Sequence, residues 1–145
     1  MPEINDRESL RDLDGVRLEV EPLPAFVITQ GLSAESLSAE IETQLRRAGV
    51  NVFPMGEFRA GDPHLQMVVT ISDVQERLIA SRVEVNVVQI CFLRRNPLVT
   101  FNRARTWTAT AAVSIGPAAS TAARVRRDVT RQLDQFIEDY KRVNE

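Results

Sequence analysis

Residues 65–93 read LQMVVTISDVQERLIASRVEVNVVQICFL, and this stretch decides the fold class. Leu65, Met67, Val69 and Ile71 alternate with Gln66, Thr70 and Ser72, the two-residue period of a strand with one buried face. A turn is expected near residues 75–81, and a long strand over residues 83–93. Its alternation slips around Val87 and Val88, which points to a bulge or to burial on both faces. Strands this close in sequence pair antiparallel.

Working outward, Val16, Leu18 and Val20 alternate with Arg17, Glu19 and Glu21, and Pro22 ends that strand. Residues 24–32 form a connection in which Phe26, Val27 and Ile28 are expected to tuck inward. Ser33 caps a helix reaching about Ala48, with Leu37, Ile41 and Leu45 as its apolar stripe and Gly49 as its stop. Residues 50–53 read as a short strand, and residues 54–63, with Gly56 and Gly61, as a loop. Further along, Trp107, Ala109, Ala111, Val113 and Ile115 are expected on one strand face, with Thr106, Thr108, Thr110 and Ser114 on the other. Gly116-Pro117 closes that strand. A final helix runs from about Ser120 to Tyr140, with Ala122, Val125, Val129, Leu133, Phe136, Ile137 and Tyr140 inside.

The order is β-α-β-β-β-β-α, which implies an α+β two-layer sandwich with a mainly antiparallel sheet and two helices on one face. One domain spans residues 1–145, with residues 1–14 as a loose N-terminal arm. The far sheet face carries Arg17, Glu19, Thr70, Glu84, Thr108 and Thr110, and such a face can stay wet.

Composition narrows the function classes. The chain has 145 residues, 43% hydrophobic and 26% charged, enough to bury a core without disulfide or metal. Eighteen Lys and Arg against 20 Asp and Glu leave no bulk field for nucleic acid. Cys91 is the one cysteine, which excludes an internal disulfide framework and a cysteine-based zinc site. No apolar run approaches the roughly 18 residues of a membrane-spanning helix. The opening Met-Pro-Glu-Ile-Asn-Asp has no apolar leader; read literally it implies cytoplasm, and a mature chain stripped of a signal peptide would look the same.

The sharpest local feature is RRNPLVTFNRAR, residues 94–105. Asn96-Pro97 starts a turn, and Leu98, Val99 and Phe101 sit between the pairs Arg94/Arg95 and Arg103/Arg105. A projecting hairpin would offer an apolar tip with a basic rim to an acidic protein partner or an anionic membrane surface. The plainer alternative resumes the strand at Val99, with Phe101 in the core and the arginines solvated. A second constellation follows from pairing Asp73 with Arg82, which places His64 opposite Cys91 with Asp62 to orient the imidazole. That is the minimum for a thiolate nucleophile, set against the habit of a cysteine in an apolar run, VVQICFL, to be a small buried hydrophobe.

Other features have structural readings. Arg124, Arg127 and Arg131 share a helix face diluted by Asp128, Asp134, Glu138 and Asp139, so no nucleic-acid surface is read there. Arg46 and Arg47 complement the end of their helix. Glu40 with Glu42, and Glu138 with Asp139, read as solvated charge. Trp107 reads as core. Asp12 and Asp14 lack the rest of a calcium loop, the glycines stand alone, and no G-x-S-x-G occurs. No cofactor, metal or catalytic residue is assigned.

The stretches LRDLDGVRLEVEPL, GLSAESLSAEIETQLRRAGV, GDPHLQMVVTI, RTWTATAAVSIG and VRRDVTRQLDQFIEDYKRVNE resemble a family of small bacterial secreted proteins, the Trp107 strand and the FIEDYKRVN ending most specifically. The resemblance implies a periplasmic or secreted protein and brings no activity or catalytic residue. No lipobox cysteine is present, so a lipid anchor is not implied. The topology is similar to periplasmic accessory domains such as the amino-terminal domain of the Tol translocation protein and the lipopolysaccharide-assembly lipoprotein, a likeness of fold alone. The expectation is a non-enzymatic binding or assembly module of the cell envelope that acts through protein contacts, at residues 94–105 and on the open sheet face, with an edge strand also able to augment a partner's sheet. The alternative is a small-ligand carrier or enzyme with a pocket between helices and sheet.

Overall fold

Alternating stretches become strands and the four-residue stripes become helices, in the order β1 (Arg17–Val20), α1 (Ala25–Thr29), α2 (Ala34–Arg47), β2 (His64–Gln75), β3 (Leu78–Leu93), β4 (Asn96–Thr108), β5 (Ala112–Pro117) and α3 (Thr121–Asn144). The computed structural model describes residues 6–54, 56 and 61–145. It is an α+β two-layer sandwich in which α2 and α3 pack on the sheet. The sheet order is β1-β2-β3-β4, with β5 also beside β3. β1 runs parallel to β2, and the remaining pairs are antiparallel.

Leu65, Met67 and Val69 of β2 and Val83, Val85 and Val87 of β3 face Leu37, Ile41 and Leu45 of α2 and Val125, Val129, Leu133 and Phe136 of α3, all buried in one cluster. Burial of each such side chain contributes about 1.5–3 kcal/mol. α2 starts where expected: Ser33 accepts from the Ser36 backbone at 3.0 Å, and the Ser36 hydroxyl accepts in return from the Ser33 backbone. It stops at Gly49, whose φ of +85° is open to glycine at no steric cost. Trp107 lies buried in edge-to-face contact with Phe136, centroids 5.4 Å apart, and donates its indole N–H to Asp139 at 3.0 Å.

Several expectations are corrected. The stretch 106–115 is two strands, not one. Between Val83 and Asn86 of β3 there are three steps, but four between their partners Ala112 and Thr108. One extra residue flips every later side chain to the other face. Trp107 and Ala109 therefore point inward, whereas Val113 and Ile115 are 63% and 61% exposed and Ser114 faces α3. Residues 50–53 contribute only a parallel bridge, Val16 to Val52. In the connection, Val27 is buried but Phe26 and Ile28 are exposed, because one helical turn cannot bury adjacent positions on both faces.

The expected loose arm is docked over residues 6–14. A 3-10 turn at Asp6–Leu10 buries Leu10, and Asn144 clasps it, donating to the Leu10 carbonyl at 2.9 Å and accepting from the Asp12 N–H at 2.7 Å. Arg7 pairs with Asp139 at 3.0 Å. Residues 1–5, and residues 55 and 57–60 of the 54–63 loop, lie outside the described residues.

Candidate functional site

β3 and β4 continue past the last core residues as a two-stranded arm. Residues 94–95 form its turn, and Leu93 pairs with Asn96, so the chain reverses two residues before the expected Asn96-Pro97. Pro97 falls within β4, where Asn96 accepts from the Leu98 N–H at 3.3 Å. β4 carries extra residues at three places along β3, each a bulge that leaves backbone unpaired and twists the arm. Leu98 is 92% exposed, Phe92 65% and Phe101 49%, with Ile90 and Val99 also exposed. Phe101 is thus outside the core.

The four arginines frame this surface. Arg103 reaches back to Glu19 of β1, and the hydrogen bond to that carboxylate, then its charge, hold the guanidinium above its ordinary pKa. Arg94, Arg95 and Arg105 make no ion pair among the described residues. Residues 85–127 hold seven arginines and no Asp or Glu, a signal in the sequence that net charge averages away. The arm is therefore locally basic on a chain whose formal net charge is -2.

The other candidates fare differently. Asp73 pairs with Ile79, and Gln75 with Leu78, a tighter turn than the assumed pairing of Asp73 with Arg82. His64 consequently lies opposite Val88, while Cys91 pairs with Phe101 on β4. Asp62 is held by Arg17 at 2.9 Å. The Cys-His arrangement does not form. Glu19 instead gathers the open face: besides Arg103 it accepts from Gln66 at 3.1 Å and lies 3.8 Å from His64 Nδ1. Asn86 is fully buried on that face, so it is laced with side chains rather than uniformly wet.

α3 does not present an arginine face. Arg124 lies across Gly116, where a Cβ would fall 1.8 Å from its Nη1, and donates to the Ile79 carbonyl at 3.2 Å. Arg127 donates to Ser114 at 3.2 Å, and Ser114 donates to buried Asp128 at 2.6 Å. Gln132 donates to the Val83 carbonyl. This polar seam between α3 and β5 fixes how the helix sits. Asp139, read as solvated charge, and Asp128, read as diluting the arginine face, are structural. Only their partners, remote in sequence, mark them so.

Between helices and sheet there is a cavity of about 10 Å³, bordered by Leu18, Ile41, Met67 and Leu133. A shallow groove of about 510 Å³ lies between β1 and α2. Among the described residues no group of three potential metal ligands assembles, and no helix is long and apolar enough to cross a membrane. Compared with known proteins, the chain matches no family model and no curated protein sequence.

Proposed function

We propose that the chain is a non-enzymatic binding and assembly module of the bacterial cell envelope that acts through protein contacts made by the β3–β4 arm. The observation that carries the reading is the exposure of Phe92, Leu98 and Phe101 beside Arg94, Arg95 and Arg105 on a projecting ribbon. Large apolar side chains at 49–92% exposure lose contact with water only on a partner. The envelope assignment rests on the resemblance of the sequence to small secreted proteins. The alternative, a ligand carrier or enzyme with a pocket under the helices, finds little support in a cavity of about 10 Å³, room for roughly one water.

The test is capture from envelope extract of the source organism with the intact chain and with Leu98→Asp/Phe101→Asp. A partner lost in the double variant, with melting unchanged, is the expected result. Retention of every captured protein by a folded double variant overturns the reading.

A further inference from the structure

We infer that the arm's partner is a second copy of this chain, and that the arm docks head-to-tail into the neighbour's groove between β1 and α2. The inference rests on the proposed role of the arm and adds the identity of what receives it. β1 is an edge strand. Its one side pairs with β2, and on its other side, among the described residues, Asn51 to Phe53 bridge to Val16 just before it. Beyond that bridge the side of Leu18 and Val20 carries no strand among the described residues. There the groove opens, floored by these two half-buried side chains and walled by the small residues Ser38 and Ala39 of α2.

The two surfaces are complementary. Glu35 and Glu42 border the groove, with Glu19 at its edge already held by the chain's own Arg103, and no basic residue lines it among the described residues. Over residues 90–105 the arm carries four arginines and no carboxylate. Glu35 makes no ion pair among the described residues, and the Glu42–Arg46 pair is a solvent-exposed one of little strength. Arm against arm would oppose like charges, which is destabilising. Strand addition along β4 is obstructed by its bulges and Pro97, the devices by which edge strands resist pairing. Arm into groove instead meets opposite charge and covers apolar side chains. Because arm and groove are different surfaces, the interface is heterologous, and each added copy leaves one of each free; growth ends in a ring or continues as a filament.

Such an interface has a distinctive signature. Leu98→Asp/Phe101→Asp removes the arm and spares the groove; Glu35→Arg/Glu42→Arg reverses the groove and spares the arm. Sedimentation of the intact chain is expected to show self-association that weakens about tenfold or more as salt rises from about 0.05 to about 0.5 M. Each variant alone is expected to stay monomeric, and the two mixed are expected to form a heterodimer that grows no further. An intact chain that stays monomeric at low salt, or folded variants that fail to complement, overturns the inference. So does binding of the monomer to phosphatidylglycerol vesicles that the arm variant loses, because a membrane is then the arm's target. Capture of a different envelope protein through the arm, with no self-association, would overturn this inference and leave the proposed function standing.

Discussion

The two ends of β3 are built from the same kind of residue and end in opposite environments. From Ile79 to Val88 the apolar side chains are buried; Ile90 and Phe92 are exposed. Part of the difference is alternation: Ile90 and Phe92 continue the even-numbered open face of Arg82 and Glu84. The rest is cover: on the other face Val83, Val85 and Val87 are buried, whereas Cys91 and Leu93 are only half-buried. A helix of 24 residues such as α3 spans about 36 Å, whereas a strand of 16 residues spans about 53 Å, so β3 outruns the helix laid on it. At the sealed end the Ser114–Asp128 bond and the Arg124 guanidinium over Gly116 lock α3 down. At the open end a turn of two arginines faces solvent. Burial of a strand residue is a property of the layer above it.

The largest contrast is between two phenylalanines. Phe136→Ala is expected to lower stability by about 3–5 kcal/mol through the cavity left against Trp107. Phe101→Ala is expected to change it by less than about 0.5 kcal/mol. Denaturant melts of both variants check the pair; a comparable loss at Phe101 would mean the arm packs on the body after all. Next comes the seam. Asp128→Ala strands Ser114 and Arg127 beside a buried site and is expected to cost about 1–3 kcal/mol, read by the same melts. A neutral result would remove the polar lock from the account of the sealed end. A small effect is expected at the join of the two regions. Arg103→Gln breaks the tie to Glu19 between half-exposed partners and is expected to cost no more than about 1 kcal/mol. Its expected signature is faster amide exchange confined to the arm, because local opening needs no global unfolding.

Much of the body was legible. Leu37, Ile41 and Leu45 carry a helical period, and Leu65, Met67 and Val69 a strand period, and both sets occupy the core. What escaped was whatever depends on counting residues across a gap. The composition of Trp107, Ala109, Ala111, Val113 and Ile115 alternates without a break, so nothing in it reveals the extra residue that turns β5 over. The turn between β2 and β3 is set by a bulge between Asp73 and Gln75, and the misplaced register took the His64–Cys91 idea with it. Asp128, Asp139 and Asn144 act on partners far away in sequence, which no local period can show. The sequence left the arm two readings, a projecting tip or a strand resuming at Val99 with Phe101 in the core, and the exposure of Phe101 separates them. The exposure of Ile90 and Phe92 follows from the open face they occupy, and the half-burial of Cys91 and Leu93 from the limits of α3.

The odd residue between β4 and β5 has a consequence for how this chain can change over generations. Connections between strands ordinarily tolerate gain and loss of residues more readily than the strands do. Here the reverse holds at residues 109–111, where exposed Thr110 and Ala111 can be exchanged more readily than their number can be changed, and only buried Ala109 is held to a small side chain. Loss of one codon there would rotate β5 by half its period, carrying Val113 and Ile115 under α3 and ejecting Ser114 from Asp128. Length at this joint is inherited as information, and its spelling is constrained chiefly at Ala109.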